Sequence, residues 1–390
     1  MKICPESNCT GCGVCAYICP QKCINMQENE IGLIYPRVDE ECCVRCGACT
    51  RVCPQVSPVV LNKPQKAYAA WSMDPEERRT SASGGIAAEI YQYALSQGCK
   101  VGGAKSNEDF SVSMDLVSNQ NETVAFKNSK YVFSNAVELY PKIKEALRSN
   151  ESVVVIGLPC QIAAIKNVFH EKENLILIDV VCHGVTPFAY LKQHIKYLEK
   201  KCGQSAERMS FRDPEIGTNK FNFTLYNKDN ECFYAKRTKD GDTYQYGYHR
   251  MVSYRENCYH CLYAQENRCS DITLSDYKGL GKLVPCDFDE TKVSSILIHT
   301  KKGEDIIQEL IKQNAIFAQE RPVQEPIQGD AQLQHPSLKS KARLGFESQI
   351  VRFKGNFEYT MGFVMAREEV RKLFFRAKQR IKRLLVKRGK

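Results

Sequence analysis

The chain has 390 residues, 20 cysteines and a formal net charge of +10. Its 43% hydrophobic and 26% charged residues are ordinary for a folded protein and exclude extended disorder or fibrous repeats. The start lacks the apolar segment of a signal peptide and no apolar run is long enough for a membrane span, so we expect a cytoplasmic protein of two or three domains. Cysteines in a reducing compartment favour metal or redox chemistry over disulfides.

The cysteines and the charge lie at opposite ends of the chain. Eleven cysteines fall between Cys4 and Cys53. Residues Arg367–Lys390 hold eleven Lys or Arg and two Glu, a net of +9, which leaves only +1 for the rest. The chain therefore has no basic domain, and nucleic acid is not an expected partner.

Residues 9–20 and 43–54 carry the same motif, C-x2-C-x2-C-x3-C-P, at an offset of 34 residues. In two-cluster ferredoxins the fourth cysteine of such a motif ligates the other cluster. We therefore predict two [4Fe–4S] clusters in a bacterial-ferredoxin-like domain over residues 1–58, since zinc prefers CxxC pairs on separate knuckles. One set of ligands is Cys9, Cys12, Cys15 and Cys53, and the other is Cys43, Cys46, Cys49 and Cys19. Cys4 and Cys23 fall outside the repeat and are interpreted as small buried residues.

After the cysteine-rich domain the sequence shows strand and helix patterns. Ala67–Ser72 predicts a strand and Met73–Ser83 predicts a loop, after which Ser81 to Gly85 opens an amphipathic helix that ends at Gly98. A helix start offers free N–H groups to a phosphate, although a Ser N-cap with flexible glycines explains the same residues. The motif is not GxGxxG, so a Rossmann dinucleotide loop is not predicted.

Two apolar runs, Ser152–Ile156 and Leu175–Val181, each precede a helix. This order predicts parallel strands joined by a right-handed crossover. Cys160 and Cys182 follow directly after the two runs, so we expect both at the carboxyl edge of the sheet, where open α/β sheets place their sites.

A hairpin is predicted over residues 221–237, followed by the CxxC of Cys258 and Cys261. Together with the two strand-end cysteines, this pair gives four thiolates, enough for a third [4Fe–4S] cluster. Two alternatives stay open. The four are unrelated buried cysteines, or Cys160 is a nucleophile of lowered pKa with His183 as its base.

The motifs Ser-Ala-Ser-Gly-Gly, Gly-Leu-Pro-Cys-Gln, Phe-Arg-Asp and Cys-His-Gly, with the CxxC and Ser270–Asp276, resemble the coenzyme F420 hydrogenase/dehydrogenase beta-subunit family over residues 67–346. The resemblance implies an iron–sulfur flavoprotein with FAD beside a [4Fe–4S] cluster. The cluster ligands that it implies are Cys160, Cys182, Cys258 and Cys261. The flavin contacts that it implies are Ser81, Ser83, Gly84, Gly85, Lys130 and His183.

The chain departs from the family pattern at Leu158, where threonine is usual, and at Ser275–Gly279, where Gly-Asp-Phe-Trp-Gly is common. Related chains occur in bacteria without deazaflavin, so the organic acceptor is left open.

We expect an α/β (α+β overall) protein that passes electrons between a ferredoxin or another oxidoreductase subunit, its clusters and FAD. The alternative is a non-catalytic electron-transfer subunit that feeds a partner enzyme.

Some charged and cysteine residues have weaker assignments. Arg212, Lys220 and His249 are candidate anchors for an anionic substrate, against surface charge or a structural hydrogen bond. The cysteines interpreted as free are Cys99, Cys202, Cys232, Cys269 and Cys286.

Apolar residues recur at helical spacing in Arg367–Lys390, with Lys and Arg on the other face. A basic amphipathic helix over residues 360–390 is therefore predicted, and it would place the protein peripherally at the inner face of a membrane. The alternatives are a helix packed on its own domain and a frayed tail.

Overall fold

The computed structural model describes the backbone of residues 1–289 and 291–388, and their side chains as far as residue 379. In the part of the chain so described, no helix is both long and apolar enough to cross a membrane.

The first unit contains two short helices and a hairpin, α1 (Val14–Ile18), β1 (Ile24–Glu28), β2 (Ile34–Val38) and α2 (Ala48–Arg51). The helices occupy equivalent positions of the cysteine repeat. Each follows a glycine with positive φ, Gly13 at 76° and Gly47 at 72°. A side chain disfavours this backbone conformation, which explains why both copies of the motif carry glycine there.

The elements after the first unit are β3 (Lys66–Ser72), α3 (Pro75–Thr80), α4 (Ile86–Ser96), β4 (Lys100–Ser106), β5 (Val112–Val117), α5 (Gln120–Thr123), β6 (Ser134–Asn135), α6 (Leu139–Arg148), β7 (Val153–Gly157), α7 (Pro159–Phe169), β8 (Leu175–Val180), α8 (Phe188–Cys202), β9 (Arg208–Ser210), β10 (Phe223–Tyr226), β11 (Cys232–Lys236), α9 (Thr243–His249), β12 (Ile272–Asp276), β13 (Ser294–Ile298), α10 (Lys301–Lys312), β14 (Ile316–Arg321), α11 (Gln324–Gly329), α12 (Lys341–Arg352) and α13 (Phe357–Arg388).

A nine-stranded mixed sheet forms the centre, in the order β14-β3-β13-β12-β8-β7-β4-β5-β6. Strands β7 and β8 are parallel, with Val153 opposite Leu175, which confirms the predicted parallel pair. Successive residues of β7 face opposite sides of the sheet. Val153 and Val155 pack with α6 and α7, whereas Val154 and Ile156 pack with α4 and α10. The strand is buried on both faces, as its continuous apolar run predicted.

One local prediction was wrong. The segment Met73–Ser83, predicted as a loop, contains α3. Asp74 caps this helix by accepting the backbone N–H groups of Glu76 and Glu77, and Pro75 occupies its first turn. These are standard signals of a helix start, and the many charged residues of the segment obscured them.

A second, three-stranded sheet, in the order β11-β10-β9, includes the predicted hairpin. Its apolar side packs with α8, α9, α12 and the first turns of α13, where Phe357 and Met361 are buried. The predicted terminal helix therefore begins inside the fold. Farther along α13, Leu373 and Phe374 are exposed, by 62% and 73%. Side chains from residue 380 and the last two residues of the predicted helix lie outside the described part.

Candidate functional site

The repeat places the fourth cysteine of one motif beside the other motif. Cys19, Cys43, Cys46 and Cys49 line one cavity. Cys42, the neighbour of Cys43, instead directs its thiol to the Asp39 carboxylate at 3.4 Å. The structure thus brings Cys19 to the triplet of the other motif, where the spacing places it.

The other predicted set lies inside the ferredoxin-like unit. Its four cysteines are buried and close enough to affect one another's ionisation. They are Cys9, Cys12, Cys15 and Cys53. Burial raises the pKa of Cys12 to about 11. A hydrogen bond from Cys4 lowers the pKa of Cys9 to about 7 and that of Cys53 to about 6.

Each set has a fifth cysteine that sequence reasoning treated as structural. Cys4 hydrogen-bonds with Cys9 and Cys53. Cys23 lies with its Sγ 3.4 Å from Cys19 Sγ and lines the same cavity. The repeat could not reveal these residues, because neither has a counterpart at an offset of 34 residues.

The four cysteines of the predicted third set come from three separate chain segments and line one large cavity. Cys160 lies in the first turn of α7 and Cys182 follows β8, both at the carboxyl edge of the sheet. Cys258 lies in a 3₁₀ turn and Cys261 follows it. Cys12 of the ferredoxin-like unit lines the same cavity.

Specific contacts hold the ferredoxin-like unit against this cavity. Tyr140 on α6 donates its hydroxyl hydrogen to the Cys12 carbonyl at 2.9 Å, and Tyr263 donates to the Pro54 carbonyl at 3.1 Å. Asn167 on α7 donates to carbonyls near the end of the unit. Cys12 therefore lies between its own cysteine set and the third one.

Among the described residues, no three Cys, His, Asp or Glu side chains converge closely enough to hold a single metal ion. The set that contains Cys19 and the set that contains Cys160 each border a cavity instead. A cubane occupies the space between its four ligands, so the donors and the room around them fit a cluster.

The alternative of a nucleophilic Cys160 is disfavoured by its surroundings. Burial, together with the thiols of Cys261 and Cys182, raises the pKa of Cys160 well above its ordinary value. An activated nucleophile requires the opposite shift. His183 Nε2 lies 3.0 Å from Lys278 Nζ, and burial lowers the pKa of the imidazole. Its ring is thus engaged with Lys278.

The Ser-Ala-Ser-Gly-Gly loop packs directly on the sheet. A Cβ on Gly84 would lie 2.5 Å from the Ala70 carbonyl oxygen, and the Gly84 N–H donates to Ser294 Oγ at 2.9 Å. Gly85 precedes α4 with φ of 90°. The chain's own packing therefore requires both glycines, whether or not a ligand binds at the loop.

Arg212 links this loop to its neighbours. The guanidinium is 5% exposed and donates to the Ala82 carbonyl, to Tyr131 Oη at 3.3 Å and to Asp276 Oδ2 at 3.3 Å. Arg212, a candidate anion anchor, thus donates its hydrogen bonds to acceptors within the protein. Burial lowers the pKa of nearby His249 to about 4, so this imidazole is neutral at pH 7.

The remaining predicted residues are dispersed. Lys130 Nζ donates to the carbonyls of Ala125 and Lys127, both at 2.9 Å, and burial lowers its pKa to about 7. Lys220 is exposed. Cys269, interpreted as free, directs its thiol to the Pro159 carbonyl at 3.7 Å, next to Cys160.

Two family models match the chain. Residues 8–56, which contain the eight motif cysteines, match a 4Fe-4S dicluster domain. Residues 150–323, which contain the third cysteine set, match the C terminus of the coenzyme F420 hydrogenase/dehydrogenase beta subunit. No curated protein shows significant similarity.

One solved structure, described as a xenon derivative of the F420-reducing [NiFe] hydrogenase complex from Methanosarcina barkeri, contains a similar chain. The similarity covers 80% of this chain and 94% of that one, at 18% identity and a TM-score of 0.46.

Proposed function

Because the chain joins a 4Fe-4S dicluster domain to a C-terminal domain of the coenzyme F420 hydrogenase/dehydrogenase beta subunit family, we propose that it is an FAD-containing iron–sulfur oxidoreductase or the redox subunit of one. When bound, [4Fe–4S] clusters carry single electrons and a flavin converts them into a two-electron transfer. The partner is a ferredoxin or another oxidoreductase subunit, and the organic acceptor is a deazaflavin or another two-electron carrier.

The observation that carries the proposal is the shared cavity. Cys160, Cys182 and the Cys258–Cys261 pair come from three distant segments of the sequence, yet they border one space. Cys12 borders it too, so the ferredoxin-like unit reaches the α/β domain at this point. We propose the four as ligands of a third cluster, beside the two sets in residues 1–58.

The support for FAD is the family motif and an aromatic, polar neighbourhood beside it. His249 lies edge-on to Tyr131 and Phe221. Its ring centroid is 5.4 Å from that of Tyr131 and 5.6 Å from that of Phe221. Its Nε2 atom is buried without a hydrogen-bond partner among the described residues. Arg212 connects this group to the loop that carries Ser83 and Gly84. An open donor or acceptor among aromatic rings suits a flavin ring, which has both polar edges and flat faces.

The test is the composition of the anaerobically purified full-length chain. We expect about twelve iron and about twelve sulfide atoms per chain, from three four-iron clusters, and one FAD. About eight irons without flavin would contradict the proposal. About twelve irons without flavin would favour the alternative, a non-catalytic electron-transfer subunit.

An exposed apolar stretch of α13, residues 373–375, supports a membrane-surface role. Leu373, Phe374 and Phe375 are more than 60% exposed on a helix rich in Arg and Lys. Apolar residues inserted at the headgroup level, with cations above them, match an anionic bilayer surface.

We expect the full-length chain to float with phosphatidylglycerol vesicles and not with phosphatidylcholine vesicles, less so at high salt. The double variant Phe374→Glu/Phe375→Glu should abolish flotation. Tyr359→Glu is the control, because Tyr359 is 70% exposed near the start of the same helix. Unchanged flotation of the double variant would refute membrane contact.

A further inference from the structure

Two arginines are buried next to the proposed clusters. Arg255 and Arg268 are each 1% exposed, although both carry one of the largest side chains in the interior. A guanidinium remains protonated in proteins, and burying it without an opposite charge is strongly unfavourable. Such a residue indicates a negative partner close by.

The head group of Arg255 lies inside the ferredoxin-like unit. Its Nη2 donates to the carbonyl oxygens of Cys9, at 3.2 Å, and Ile34, at 2.9 Å. The guanidinium also lies 5.2 Å from the ring centroids of Tyr35 and Phe133. These contacts position the cation next to the backbone of the cysteine set that contains Cys9.

The backbone of Arg255 is hydrogen-bonded to Cys258 of the third cysteine set and to Val185 beside it. The Cys258 N–H donates to the Arg255 carbonyl at 3.1 Å, and the Arg255 N–H donates to Val185, which lines the large cavity, at 2.9 Å. Arg255 therefore extends from the third set to Cys9.

The side-chain contacts of Arg255 are carbonyl oxygens and ring faces, none with a formal negative charge. Its Nε has no hydrogen-bond partner among the described residues. Among the described residues, the direct contacts of Arg255 thus supply no opposite charge. Four thiolates around a cubane give the whole a net negative charge, which fits this position.

Arg268 lines the large cavity from another side. Its Nη1 donates to the Tyr263 carbonyl at 2.8 Å, while Asp179 Oδ2 lies 3.9 Å away, beyond hydrogen-bond distance. Within the described part of the chain, Nε and Nη2 of Arg268 have no partner. Asp179 therefore compensates this charge only in part.

We propose that Arg255 and Arg268 are the counter-ions of the clusters and raise their reduction potentials, an inference that rests on the proposed function. Arg255 lies between the Cys9 set and the third set, so it acts on both clusters. Arg268 borders the cavity of the third cysteine set, so it acts on the third cluster. A positive charge favours the reduced, more negative state of a cluster. The third cluster is thereby influenced by both cations.

Redox titration of the full-length protein, followed by electron paramagnetic resonance, tests the proposal. Cys160→Ala identifies the signal of the third cluster by its loss. We expect Arg255→Met to shift two midpoint potentials to more negative values and Arg268→Met to shift that of the third cluster. The charge-retaining variants Arg255→Lys and Arg268→Lys should stay closer to wild type. Arg208→Met is the control, because Arg208 stacks on Tyr226 at the partly exposed surface.

Iron content distinguishes a failure of the proposed function from a failure of the counter-ion proposal alone. Wild type with fewer than about twelve irons contradicts the proposed function, whatever the arginines do. Full iron content with unshifted potentials in both Met variants overturns the counter-ion role alone. If a Met variant loses iron, the Gln variant of the same arginine is titrated instead. The glutamine amide can still donate a hydrogen bond to a carbonyl. Equal potentials for the Gln and Lys variants would then overturn the proposal.

Discussion

Replacing Cys160 with alanine is expected to lower the iron content from about twelve to about eight atoms per chain, with a matching loss of sulfide. Cys160 lies at the start of α7 and lines the large cavity with Cys182, Cys258 and Cys261. Removing one of four thiolates leaves an incomplete ligand set. The two clusters in residues 1–58 should remain, because their ligands come from that unit.

Colorimetric iron and sulfide assays on anaerobically purified protein measure this effect. Cys202→Ala is the matched control, since Cys202 is exposed at the end of α8. It should keep about twelve irons. If Cys160→Ala also kept them, the third cluster would not be held by this residue, and the nucleophile alternative would regain support.

The sequence predicted those parts of the site that are encoded by short-range spacing. The offset of 34 residues between the two motifs assigned Cys19 to the opposite triplet, and the structure places it there. Cys160 and Cys182 could be located because each follows a continuous apolar run, and parallel strands end at one edge. These rules need no knowledge of distant contacts.

The parts that sequence reasoning missed depend on long-range packing. Arg255 contacts the Cys9 carbonyl across 246 positions of sequence, and no local pattern marks such a pair. Arg212 was a candidate substrate anchor with a structural hydrogen bond as the alternative, and the fold, by directing its donors to Ala82 and Tyr131, supports the alternative. Charge alone does not distinguish a binding residue from a structural one, because both depend on which acceptors the fold brings close.

The second large effect is expected on stability. His194 on α8 is buried between two carboxylates, with Nε2 3.0 Å from Asp242 Oδ2 and Nδ1 2.7 Å from Glu358 Oε1. Burial by itself lowers the pKa of His194, but attraction and hydrogen bonds from Asp242 and Glu358 outweigh it and raise the pKa to about 9. The imidazolium is therefore the form present at pH 7, and it joins α8 to the start of α13.

His194→Gln should lower stability by about 3–5 kcal/mol at pH 7, because the buried Asp242 carboxylate and the partly buried Glu358 carboxylate lose their shared cation. An anaerobic thermal melt should show Tm lower by roughly 5–10 °C. His335→Gln, at an exposed histidine, is the control and should melt as wild type does.

The pH dependence of this difference tests the charge itself. The folded pKa of about 9 lies above the unfolded value of roughly 6.5, so the bound proton stabilises the fold fully below pH 6.5. That contribution is lost as the pH rises through about 9. The gap in Tm between wild type and His194→Gln should therefore narrow between pH 7 and pH 10. A gap that stayed constant over this range would mean that His194 is neutral and that its role is packing alone, because only an imidazolium has a proton to lose in that window.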